Sequence, residues 1–333
     1  PEVSPRPTLP RFSDPPTDLE VSRARVLAEP LISMGPTRSP ENRALAEALL
    51  AYIDRADTDD VSAVTRFLEQ YPDSAWRPAL LINLGLAYRR TGYFSKALDA
   101  WEEGWRLSRD QTAPAARILA DRAVGELLEL NARLGRFDRL EALFAQIEGR
   151  EIRGPATEKV TGAREGLWLM RNRPEDAFRC GPMALDRILA AADPNRPLDD
   201  RIRFSRSTLR GIALPEVCRL ANELGMNYQM AKRQAGSRFV LPAVVHWNVG
   251  HYAALIREEG GLYLVQDPTF GDDLWVSRQA LEQETSGYFL IPQGPLPRGW
   301  QAVDDEEGAR IWGKGATASS DPTRTRPYDR TLC

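Results

Sequence analysis

The sequence predicts an all-α N-terminal domain followed by a mixed α and β domain, on three observations. Helical periodicity rich in Ala, Leu, Glu and Arg runs from about Glu41 to about Arg171. Near residue 210 the texture changes, and a short amphipathic helix, LPEVCRLANELG, leads into three β-type runs, FVLPAVVHW, HYAALIR and LYLVQDP. Hydrophobic residues make up 42% of the 333 positions and charged residues 27%, a balance that lets two globular domains each bury a core.

Residues 1–40 are rich in Pro, Ser, Thr and Arg and read as a linker. GYFLIP is the expected closing strand of the second domain. Beyond Pro292 apolar periodicity fades, so 293–333, ending GKGATASSDPTRTRPYDRTLC, reads as a low-complexity tail or linker. The chain starts at Pro1 without an initiator Met and is expected to be a piece of a longer polypeptide.

A formal net charge of −3 with both signs interspersed excludes a basic field for nucleic acid or an anionic membrane surface. No apolar run reaches the roughly 18 residues that span a bilayer. Cys180, Cys218 and Cys333 are odd in number and lack CxxC spacing, which argues for a reducing, cytoplasmic setting of this segment. Secretion as part of a longer protein stays open.

Within the helical region, LLINLGLAYRRTGYFSKALDAWEEGWRLSRD resembles a tetratricopeptide repeat through Leu84, Gly85, Tyr88, Ala97 and Trp101. Gly85 and Ala97 are small where two antiparallel helices must approach, and Gly92 marks the turn between them. Gly135, Leu140 and Phe144 repeat the spacing, and an earlier helix pair ends at Pro72. Three pairs over 41–172 would stack as a short solenoid; an irregular helical bundle is the alternative.

The second domain, 173–292, carries the chemistry. In RCGPMALDRILAAA, Pro182 suits the first turn of a helix, which sets Cys180 at the helix N-terminus. Backbone NH groups and the positive end of the dipole there favour a thiolate and can receive an oxyanion. A buried structural thiol is the bland alternative. The partner lies in HWNVGHYAALIREEGGLYLVQDPTFG, where His251 opens a strand and Asp267 ends the return strand. With the turn centred on Glu259, His251 and Asp267 face each other, and the carboxylate orients the imidazole. A shift of one residue pairs Asp267 with Tyr252 instead.

His246, in VVHW, has no such carboxylate and reads as a strand residue or a wall of the cleft. A metal site of Cys180, His246 and His251 is disfavoured because no further ligand stands at the right spacing. No cofactor is expected.

Taken together, RCGPMAL, LPAVVHWNVGHYAAL and VQDPTFG resemble the bacteriocin-processing peptidases, papain-like cysteine peptidases that remove double-glycine leader peptides. The resemblance covers 177–292. It implies a nucleophile helix packed on an antiparallel sheet, with Cys180, His251 and Asp267 in the catalytic roles. The family's glutamine before the nucleophile is absent from LMRNRPEDAFRC, where Asn172 is the candidate substitute. The fused membrane exporter common in that family is absent too.

The expected function is thus a cysteine endopeptidase that acts on a bacterial protein or on its own polypeptide, with the repeats as a docking unit. The competing function is a catalytically weak module that binds a peptide or protein.

Overall fold

The computed structural model describes residues 9–267, 269 and 273–316. Parts of the leading and trailing segments and of the DPTFG motif, and Cys333, lie outside the described residues. The chain divides into two compact units.

The first unit takes in residues up to Arg89 together with Lys96–Leu127 and Glu151–Thr157. Its leading segment, expected as a linker, contains helix α1 (Asp18–Arg23) with Val21 buried. Thr17 and Glu20 cap it reciprocally: Thr17 Oγ1 accepts the Glu20 NH at 3.3 Å, and a Glu20 carboxylate oxygen accepts the Thr17 NH at 2.8 Å. Pro15 and Pro16 precede the cap, where they break no helix. Helices α2 (Ser39–Ile53), α3 (Ser62–Gln70), α4 (Arg77–Arg90), α5 (Phe94–Ser108) and α6 (Pro114–Arg133) follow. A Cβ on Gly85 would stand 2.2 Å from Trp101 Nε1, so α4 and α5 meet at a position only glycine permits. That Nε1 donates to the Ile82 carbonyl at 3.1 Å. The buried Glu126 is matched by Arg89 at 2.7 Å and Arg122 at 3.0 Å, as a charge removed from water requires.

The units do not divide at residue 172. Helix α6 crosses the division between Leu127 and Leu128. Of the second helix pair, which turns at Gly135 (φ +64°), the end of α6 and all of α7 (Phe137–Gln146) lie in the second unit, with most of α8 (Ala156–Asn172). The helices of 41–172 are thus shared between the two units. Periodicity tells that Leu140 and Leu143 are buried, but not against which partner.

The rest of the second unit runs α9 (Pro174–Ala177), α10 (Cys180–Ala192), α11 (Asp200–Arg203), β1 (Ile212–Ala213), α12 (Leu214–Glu223), β2 (Tyr228–Arg233), β3 (Ala243–Trp247), β4 (His251–Glu259), β5 (Leu262–Gln266), β6 (Asp273–Ser277), α13 (Arg278–Glu284), β7 (Thr285–Pro292), β8 (Trp300–Ala302), α14 (Asp305–Gly308) and β9 (Trp312–Gly313). One antiparallel sheet has the order β6-β5-β4-β3-β7-β2-β8, and β1 pairs with β9 apart from it. Met183, Leu185 and Ile188 of α10 share a core with Val217 of α12 and with Tyr252, Ala254 and Leu264 of the sheet. Each of the Met, Leu, Ile and Val side chains among them contributes about 1.5–3 kcal/mol by leaving water. The helix can lie this close because residue 181 is glycine: a Cβ there would meet Val217 Cγ2 at 2.6 Å.

The segment after Pro292, expected as a tail, is ordered structure as far as Ala316. Trp300 is buried and donates its Nε1 H to the Arg238 carbonyl at 2.9 Å, while Asp304 caps α14 by accepting the Glu307 NH at 2.8 Å. Its strands β8 and β9 are three and two residues long and pair with distant segments, too short for a local apolar pattern to announce them. Among the described residues no helix is long and apolar enough to cross a membrane.

Candidate active site

Cys180 is the first residue of α10 and is fully buried. The loop before it is anchored by the buried Arg179, which donates to the carbonyls of Asp176 and Arg203. The Phe178 NH donates to Ser207 Oγ at 3.2 Å. Both contacts fix where the helix begins, and so where the sulfur stands.

His251 opens β4 and is also fully buried. Its Nε2 lies 2.5 Å from Asp267 Oδ2. The expected face-to-face register is not the one observed. The β4–β5 turn is made by Gly260 and Gly261, so Glu259 pairs with Leu262 and Arg257 with Leu264. Continued unbroken, that register would put Asp267 opposite Ala254, on the wrong face of the sheet. A bulge between Leu255 and Arg257 inserts Ile256 as an extra residue, after which Leu255 pairs with Val265 and Ala254 with Gln266. Asp267 then falls at the level of Ala253, on the His251 face and diagonal to it. Its other oxygen, Oδ1, accepts the Thr269 NH at 2.8 Å. The Thr269 carbonyl in turn accepts from Arg133.

Burial alone pulls the His251 imidazole toward the neutral form. The charges of Asp267 and Cys180 and hydrogen bonds to both outweigh it and raise the group to about 10. The ring is therefore held in its charged form beside Asp267, which it meets through Nε2.

His246 behaves oppositely. Burial lowers it to about 4, with a hydrogen bond to the Trp312 carbonyl acting the other way. A carbonyl only accepts, so Nε2 carries the proton at 3.0 Å from Trp312 O, and Nδ1 accepts from Ser286 Oγ at 2.7 Å. His246 is a neutral wall residue. Asn172 does not serve as the missing amide donor: its Nδ2 H bonds to the Trp168 carbonyl of its own helix at 2.8 Å, on an exposed side chain. In the first turn of α10 Cys180 and Gly181 each carry a backbone NH, and Pro182 has none.

Sequence reasoning missed one component, the backbone of residues 311–316. Tyr252 donates its OH to the Ile311 carbonyl at 3.0 Å, the Lys314 NH donates to Gly250 O at 2.9 Å, and the Gly315 NH points at Cys180 Sγ at 3.2 Å. Beside this segment opens a cavity of about 580 Å³, lined by Leu134, Asp138, Arg210, Val249 and Lys314 among others. Two glycines one residue apart in a chain otherwise read as a tail were the only signal.

No family model matches the chain, and no curated protein matches it. Among solved structures, the crystal structure of a double glycine motif protease from an AMS/PCAT transporter, in complex with the leader peptide, is similar to it. That protein is 21% identical, with 34% of this chain and 84% of that one covered, at a TM-score of 0.30.

Proposed function

We propose that the chain is a thiol-dependent hydrolase, and specifically a cysteine peptidase with Cys180 as nucleophile, His251 as general base and Asp267 as its orienter. The observation that supports this reading is the position of His251, which meets Asp267 at 2.5 Å through Nε2 and is drawn toward its charged form by Asp267 and Cys180. An imidazole so held takes a thiol proton and keeps it as imidazolium, with the buried carboxylate stabilising the charge.

The Cys180 sulfur then attacks a peptide carbonyl carbon, forming the S–C bond. The C–N bond breaks as His251 returns the proton to the leaving amine. Water attacks the thioester with His251 as base, releasing the acid and restoring the thiol. The NH groups at the start of α10 hold the oxyanion; without a side-chain donor beside them, turnover is slower by on the order of 100-fold. The substrate is a peptide or protein, and the helices of the first unit are its docking element.

The test is hydrolysis of extended peptides by the wild type, Cys180→Ala and His251→Gln, with folding checked by circular dichroism. Turnover that vanishes in both folded variants supports the reading. Turnover that survives Cys180→Ala contradicts it.

A further inference from the structure

The two residues that carry the chemistry are both fully buried, and what covers them is the chain's own segment 312–316. That segment lies in the site as a bound peptide strand would. Gly313 pairs with Ile212 in the antiparallel β1–β9 ladder, the Lys314 NH donates to Gly250 O at 2.9 Å, and the Ala316 NH donates to Arg133 O at 2.7 Å. On the same strand, His246 donates to Trp312 O at 3.0 Å. Backbone bonds of this kind bind any extended peptide, and the space left for alternate side chains selects among sequences.

That space is absent at two positions. A Cβ on Gly313 would stand 2.3 Å from the Tyr252 ring and 3.1 Å from Cys180 Sγ. A Cβ on Gly315 would stand 2.0 Å from His251 Nδ1 and 2.7 Å from Cys180 Cβ. Between them the Lys314 side chain leaves the site, with its Nζ 5.4 Å from the Phe178 ring centroid.

The register is one that the sulfur does not cut. Attack needs a carbonyl carbon over the sulfur and its oxygen turned to the oxyanion donors. Here the sulfur meets an NH, that of Gly315, and the Lys314 oxygen is turned to Gly135, where a Cβ would lie 2.1 Å from it.

We propose that Trp312–Ala316 is a blocking strand that occupies the peptide groove of this site in cis, and that glycine, any residue, glycine is the pattern the groove accepts. The identity of the groove rests on the peptidase reading; the occupancy does not.

The test is alkylation of Cys180 by iodoacetamide in the full chain, mapped by mass spectrometry, in the wild type and in Gly315→Val. The branched side chain has no room beside His251 and expels the strand. Cys180 of the variant should react at least about tenfold faster, because a covered site reacts only in proportion to its open fraction. The synthetic peptide Ile-Trp-Gly-Lys-Gly-Ala, added to the variant, should restore protection, and the same peptide with Val in place of its second glycine should not. Equal alkylation of wild type and variant overturns the blocking strand. Equal protection by the two peptides overturns the glycine pattern. Should Gly315→Val fail to fold, amide hydrogen exchange of the wild type decides: Lys314, Gly315 and Ala316 exchanging as fast as free peptide overturns the strand, and slow exchange supports it. Cys180 uncovered by Gly315→Val but without peptide turnover supports the strand and counts against the peptidase reading alone.

Discussion

Asp267 reaches His251 along a diagonal, carboxylate to imidazole at 2.5 Å, and the exclusion of Ile256 from the β4–β5 ladder keeps the two on one face. Because Ile256 is the unpaired residue, deleting it should leave Leu255 opposite Val265 and Asp267 at the level of Ala253, on the His251 face. The folded deletion variant should therefore keep its peptide turnover, whereas Asp267→Ala should lose on the order of 100-fold or more. A folded deletion variant that loses as much as Asp267→Ala would show that this pairing does not aim the carboxylate.

The two histidines give opposite pH signatures. His251 is raised from 6.5 to about 10, so its contribution to stability is complete below 6.5 and is lost as pH rises through about 10. His246 is lowered from 6.5 to about 4, so its contribution is present above 6.5 and is lost as pH falls toward 4. Melting temperatures of the wild type minus His251→Gln should therefore narrow on the alkaline side. The same difference for His246→Gln should narrow, or change sign, on the acid side.

Cys218 should be the slow thiol. It is partly buried, its Sγ lies 3.5 Å from the Tyr228 carbonyl, and burial, with Asp305 nearby, pushes its thiol up. Cys218→Ala should lower stability by about 1 kcal/mol in chemical denaturation and leave the Cys180 chemistry unchanged. A loss of peptide turnover in that variant would reassign the nucleophile.

Gly85→Val tests the first unit by itself. Its Cβ would fall 2.2 Å from Trp101 Nε1, so α4 and α5 must part. A destabilisation of about 1–3 kcal/mol is expected from such overpacking. If the helices of the first unit dock the substrate, KM should rise while alkylation of Cys180 in a Gly315→Val background stays the same. An unchanged KM would reduce those helices to a structural role.

What could be read from the sequence was local. A Cys-Gly-Pro run names a helix start, GH followed by alternating apolar residues names a strand, and Asp267 falls where the return strand stops. The bulge was not legible, since HYAALIREEGG carries no glycine or proline at Ile256 and the extra residue shows only in the pairing. Nor was the strand at 312–316, because Trp312 and Gly313 pair with Ala213 and Ile212 about a hundred residues earlier, in a segment whose glycines and polar residues resemble a tail. The sharing of the helices between the two units was not legible for the same reason: periodicity marks a buried face without naming its partner.

The most direct test of the central claim is peptide mapping of the full chain after prolonged reaction with a thiol-directed peptidyl probe. The account predicts a thioether on Cys180, abolished by Cys180→Ala, strongly reduced in His251→Gln and accelerated by Gly315→Val. A probe carried chiefly by Cys218, or labelling of Cys180 that is indifferent to His251, would contradict it.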